Sequence, residues 1–122
     1  SELSVSRTVP LPARVIAGPW SAGQHIILAA DDGMVYAFDS SGELKWRVAS
    51  ADSRLTSASV TTNGNTLLVW ENGRMMSINA TGEVVRAVEL NESIRHGAVL
   101  FGDYYAVGTL DGGIIFVEKD RL

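Results

Sequence analysis

The chain repeats itself about every 40 residues, a period that leaves few ways to fold. With single-residue gaps, DDGMVYAFDSSGELKWRV (Asp31 to Val48) recurs as ENGRMMSINATGEVVRAV (Glu71 to Val88). It recurs again as LDGGIIFVEKDRL (Leu110 to Leu122). Gly33, Gly73 and Gly112 mark one recurring turn, Gly42 and Gly82 a second, and Leu55 and Ile94 a third recurring position.

Each repeat divides into four short strands. In the first they are Val15-Ile16-Ala17, His25 to Ala30, Met34 to Phe38 and Glu43 to Ala49; in the second Ser57 to Val60, Thr66 to Trp70, Arg74 to Ile78 and Glu83 to Leu90. Between them stand Ala22-Gly23, Asp32-Gly33 and Ser41-Gly42, then Asn63-Gly64, Asn72-Gly73 and Thr81-Gly82. Asn-Gly and Asp-Gly between apolar runs are hairpin signals, because tight primed turns need a positive φ. No window holds a 3.6-residue apolar period, so no helix of consequence is expected. Short strands, glycine turns and this period together predict an all-β chain of propeller blades.

The third repeat offers Gly97 to Leu100, Tyr104 to Val107 and Gly113 to Glu118, with no fourth strand. The segment Glu2 to Val9 precedes Val15 as Glu43 to Ala49 precedes Leu55, which makes it an outer strand separated from its blade. The expected layout is therefore blade 1 over 14–50, blade 2 over 54–90, blade 3 over 95–122, and a closing strand over 2–9. Three four-stranded blades are fewer than the roughly 4 to 8 of a closed ring. Leu28, Val35, Leu44, Trp46, Leu67, Val69, Met75, Ile78, Val107 and Ile115 read as apolar blade faces, and a three-blade arc leaves two such faces without neighbours. Two copies joined head to tail make a six-bladed ring in which each closing strand completes the other chain's third blade. The alternative is a stretch of a longer propeller chain.

The segment Ala37-Phe38-Asp39-Ser40-Ser41-Gly42-Glu43-Leu44-Lys45-Trp46 resembles the pyrroloquinoline-quinone-type repeat, whose blades carry Ala, Asp, a turn Gly and Trp in this order. The resemblance implies that Asp39 caps the turn and that Trp46 packs onto the neighbouring blade. The second repeat keeps Ser77, Asn79 and Gly82 but has Arg86 in the Trp position, and the third ends after Phe116 and Glu118. The family includes quinone-dependent dehydrogenases, bacterial envelope scaffolds and propellers that bind no quinone. It points to the periplasm or cell surface.

Quinone chemistry needs a hard cation held by carboxylates and amides, plus a catalytic Asp. Asp32, Asn72 and Asp111 instead occupy one recurring hairpin turn, and no catalytic residue, metal site or cofactor is expected from them. His25 and His96 lack metal-ligand spacing; the reading places His25 at the start of an edge-exposed strand and His96 at the end of a turn. No Cys is present, no Gly-x-Ser-x-Gly elbow occurs, and the net charge of −4 disfavours a nucleic-acid partner. The longest apolar run, Ile26 to Ala30, is far short of a membrane span. One polar feature recurs. Arg14, Arg54 and Arg95 are each read where an outer strand crosses to the next innermost strand, beside a channel mouth, with His96 next to Arg95. Guanidinium forks suit an acidic ligand, whereas pairing with Asp52, Glu92 and nearby carbonyls would make them plain surface ion pairs. The leading expectation is a non-enzymatic binding or scaffold module that associates with itself and with a protein or small acidic ligand. The alternatives are a quinoprotein-like oxidoreductase site assembled across an oligomer, or a structural piece of a bacterial envelope complex.

Overall fold

The computed structural model describes residues 8–122. Eleven strands among these residues form three antiparallel sheets. Sheet 1 runs in order β1 (Val15–Ala22), β2 (His25–Ala30), β3 (Met34–Phe38), β4 (Leu44–Ala49). Sheet 2 repeats this with β5 (Leu55–Val60), β6 (Thr66–Trp70), β7 (Arg74–Ile78) and β8 (Val84–Glu89). Sheet 3 has three strands, β9 (Ile94–Phe101), β10 (Tyr104–Thr109) and β11 (Ile114–Glu118), followed by a single 3-10 turn, Lys119–Arg121.

The turns carry the repeat. At the β3–β4 turn, Asp39 Oδ1 accepts from the backbone N–H of Ser41 (2.9 Å) and of Glu43 (3.0 Å) and from the Ser41 hydroxyl (2.6 Å). At β7–β8, Asn79 Oδ1 accepts the same three bonds, from Thr81 N, Thr81 Oγ1 and Glu83 N. The Ser41 hydroxyl and these backbone N–H groups hold the Asp39 carboxyl below its ordinary range, whereas an amide does the same work without a charge. A depressed carboxylate stabilises above its unfolded value near pH ~4 and loses that contribution as pH falls through its folded value. Between pH 5 and 2, thermal unfolding of the wild type should therefore lose stability faster than that of Asp39→Asn. Parallel curves would show that the turn is indifferent to the charge.

Alternation on each strand gives every sheet two faces, and the sheets stack through them. Between sheets 1 and 2 lie Ile27, Ala29, Val35, Ala37 and Trp46 from one side and Leu68, Trp70 and Ile78 from the other. Between sheets 2 and 3 lie Leu67, Val69, Met75 and Val88 against Tyr105, Val107, Val117 and Leu122. β1, β5 and β9 are neighbours across the stack. There the side chains are small: a Cβ on Gly97 would collide with the Ser57 side chain.

Several expectations change. The first and third innermost strands are longer than read, running through Gly18-Pro19 to Ala22 and back to Ile94 respectively, because register shifts in β1 and β9 absorb the irregular residues. Glu43 and Glu83 belong to the turns and not to the fourth strands. His25 starts an interior strand and not an edge, with its ring edge-on to Trp46 at 6.4 Å, and His96 lies inside β9. Val35, Trp46, Leu67, Val69, Met75, Ile78 and Val107 are all buried between the sheets, so they are not the exposed faces. Of the closing strand expected over 2–9, residues 2–7 lie outside the described residues, and Thr8 and Val9 are not in a strand.

Candidate functional site

Arg14 and Arg54 directly precede β1 and β5, and their carbonyls accept the N–H of Asp31 and Glu71, each at 2.8 Å. In sheet 3 the matching carbonyl belongs to Ser93, which accepts from Leu110 N at 2.9 Å. Arg95 thus lies two residues further on, inside β9, and the three arginines are not register-equivalent. The cause is a connection of different length. Gly33 to Gly73 is 40 residues but Gly73 to Gly112 is 39, and the β8–β9 link (residues 90–93) is one shorter than the β4–β5 link (residues 50–54). That signal stood in the glycine spacing. Arg54 Nη1 approaches Glu71 Oε2 at 4.0 Å in an exposed pair, and the Arg14 backbone N–H donates to Asp31 Oδ1 at 3.1 Å. His96 sits with Gly108 on the face of sheet 3 that points away from sheet 2.

The longer link also opens a cleft of about 540 Å³ between sheets 1 and 2. Trp70 Nε1 donates to Ser50 Oγ (2.9 Å), while Asn72 Nδ2 donates to the Ala51 carbonyl and Asn72 N to Ser53 Oγ, both at 3.0 Å. These bonds tie the link to sheet 2, while the Ser50 N–H donates to the Gly33 carbonyl at 2.8 Å and Gly33 has open space where a Cβ would be. At the matching place in sheet 2, a Cβ on Gly73 would stand 2.5 Å from the Glu92 carbonyl, and the space is filled. The cleft floor is apolar (Ala17, Ala29, Leu55) and its rim carries Asp31, Asp52 and Arg54.

The two outer faces of the stack also carry apolar side chains. On sheet 1, Ile26 pairs with Phe38 and Leu28 with Tyr36, and Leu11 and Ala13 pack partly over them. The buried Tyr36 hydroxyl donates to Asp32, and that bond raises the phenol's pKa. On sheet 3, Val99, Phe101, Tyr104, Ile114 and Phe116 form a bare apolar surface, with Phe116 6.0 Å from Tyr104 and 6.4 Å from Phe101, ring centre to ring centre. Two faces without neighbours were expected, with Leu28 among their residues, but most of the side chains that line them were not, because alternation alone does not say which face of a strand finds a neighbour. Among the described residues no group of three or more His, Cys, Asp or Glu could hold a metal ion. Among them, too, no helix is long and apolar enough to cross a membrane.

No protein-family profile matches the sequence, and no curated protein matches it. Solved structures do. BamB from Moraxella catarrhalis is 22% identical, with a TM-score of 0.63 over 80% of this chain and 30% of that one. BBS1N, solved in complex with ARL6DN, is 11% identical, with a TM-score of 0.70 over 92% of this chain and 39% of that one. The Cps50 (Swd1) beta-propeller domain of Myceliophteria thermophila is 16% identical, with a TM-score of 0.64 over 88% and 37%. The chain thus spans well under half the length of these three structures. At such identities the likeness is one of fold, and the three stacked antiparallel sheets share the blade architecture of β-propellers.

Proposed function

We propose that the chain is a non-enzymatic β-propeller scaffold, whose first partner is a second copy of itself. The observation that carries this is the pair of apolar outer faces at the two ends of one stack. The outward side chains of sheet 3 (Ala106, Ile114, Phe116) occupy the register that Leu67, Met75 and Ser77 use to pack sheet 2 onto sheet 3. The outward side chains of sheet 1 (Leu28, Tyr36, Phe38) occupy the register that Leu68, Met76 and Ile78 use to meet sheet 1. A second copy stacked in this register meets Ile26 and Phe38 directly, reaches the buried Leu28 and Tyr36 once Leu11 and Ala13 move aside, and closes a six-bladed ring of two chains. The outer edge of β11 is unpaired among the described residues, and residues 2–9 of the other copy are the strand proposed to fill it. In such a ring Arg14 and Arg54, with Arg95 and His96 deeper along β9, surround the mouth of the inner strands and face a protein or a small acidic ligand. The repeat resemblance goes with a place in the periplasm or at the cell surface. The expected solution mass is about 26 kDa, twice the 13.1 kDa chain. Deleting residues 1–9 should cause dissociation or aggregation through the exposed β11 edge. A wild type that sediments as a single chain, or a deletion that leaves the mass unchanged, would overturn the ring.

A further inference from the structure

We infer that the outer rim between sheets 2 and 3 is an oxyanion site held by Arg86 and Arg121. The two sheet-to-sheet interfaces act as controls for each other. In the first, Trp46 of β4 packs onto the β7–β8 turn so tightly that a Cβ on Gly82 would lie 2.6 Å from the Trp46 Cβ. Gly82 stands four residues past Ile78, and Arg121 stands four past Val117, the matching residue of sheet 3. Arg86 pairs with Ser77 as Trp46 pairs with Ala37. The second interface therefore has Ser, Arg and Arg where the first has Ala, Trp and Gly.

Both arginines are exposed, and they line one depression together. Arg86 lies on the β8 face that turns toward sheet 3, beside buried Val88, and Arg86, Ala87, Val88 and Arg121 line a cavity of about 310 Å³. Ser77 is fully buried at the cross-strand position, and its Oγ has no hydrogen-bond partner among the described residues. Lys45, Arg54, Arg74 and Lys119 each have a carboxylate within ion-pair distance; Arg86 and Arg121, like Arg14, Arg47 and Arg95, have none among the described residues. The chain has 14 acidic residues against 10 basic, so acids to neutralise the pair are not in short supply. Two guanidiniums lining one small cavity repel each other, and a bridging oxyanion turns that repulsion into attraction through two planar forks. The ligand class is a phosphate or carboxylate group, supplied by a free small molecule or by an acidic side chain of a partner.

The test titrates inorganic phosphate, and separately glutarate, at constant ionic strength with sodium chloride as the balance. The wild-type Tm should rise with the logarithm of anion concentration above Kd, by about 5 °C once the anion exceeds its Kd tenfold. Arg86→Gln and Arg121→Gln should each remove the rise, as should the double variant Arg86→Trp with Arg121→Gly, which rebuilds the Trp–Gly pair of the first interface. Lys45→Gln, on sheet 1 and outside both groups of arginines, should keep it. A response to glutarate but not phosphate assigns the site to carboxylates, the form a partner's acidic side chain would offer. The reverse assigns it to a free phosphate compound. No shift beyond that of the sodium chloride balance, a wild-type-sized shift in both Gln variants, or a shift abolished by Arg54→Gln would each overturn the site. The last outcome would place the anion at the inner-strand mouth instead. Arg121 follows β11, the strand the proposed ring would cover, so the oligomeric mass is measured in parallel, and a Tm response lost in the Arg86 and Arg121 variants at unchanged mass reports the site and not the ring.

Discussion

Trp46→Ala is expected to destabilise the protein by about 3–5 kcal/mol, the range for removing a large buried aromatic. Trp46 is only 5% exposed and sits among Ala37, Leu68, Ile78 and the β7–β8 turn of the next sheet. Its indole N–H has no hydrogen-bond partner among the described residues, so the loss comes from packing, with no broken hydrogen bond to add to it. Urea unfolding should show a large fall in midpoint with little change in slope. The expected loss is a large share of the roughly 5–15 kcal/mol that holds a typical domain together. Gly82→Ala should also destabilise, since φ is +90° there and the added Cβ meets Trp46 at 2.6 Å. In the Trp46→Ala background its steric cost should fall, which makes the pair non-additive. A loss below about 0.5 kcal/mol for Trp46→Ala would mean that the side chain behaves as a surface residue and that the sheets are not locked through it.

The same residue shows how far the sequence could be read. Turn chemistry is local: Asp39, Asn79 and the recurring glycines specify their hairpins from a few neighbouring residues, so the strand order of all three sheets was legible. The repeat resemblance also gave Trp46 its role. Contacts decided by pairing between distant strands were not legible. Gly18-Pro19 reads as a break, yet β1 continues through it because its register against β2 shifts on either side. Arg95 reads as the third member of an arginine series, but the shorter 90–93 link moves Ser93 into that place. Arg86 reads as a degenerate Trp position, and only the stacking of sheet 3 onto sheet 2 brings Arg121 beside it. In each case the composition of the segment was informative and its partner was not, because the partner is fixed by tertiary packing.

Charging either outer face should separate the proposed ring into single chains. Ile114 and Phe116 are 66% and 54% exposed in the isolated chain, so Ile114→Glu with Phe116→Glu should cost the fold itself little. Buried against another copy, each carboxylate would lose water without gaining a partner, and an unpaired charge in an apolar contact costs several kcal/mol. Two such contacts close the ring, so the mass should fall from about 26 kDa to the 13.1 kDa of one chain. Phe38→Lys with Ile26→Lys on sheet 1 should do the same from the other side. Mixing the two variants is the decisive step. A heterodimer of these chains has one contact between two unaltered faces. In its other contact the carboxylates introduced on sheet 3 of one chain meet the ammonium groups introduced on sheet 1 of the other. The mixture should therefore recover the two-chain mass that neither variant reaches alone, and it should lose that mass again as salt screens the new pairs. If each variant keeps the wild-type mass, the apolar faces are not the contact. If both dissociate but the mixture stays monomeric, they do not meet head to tail.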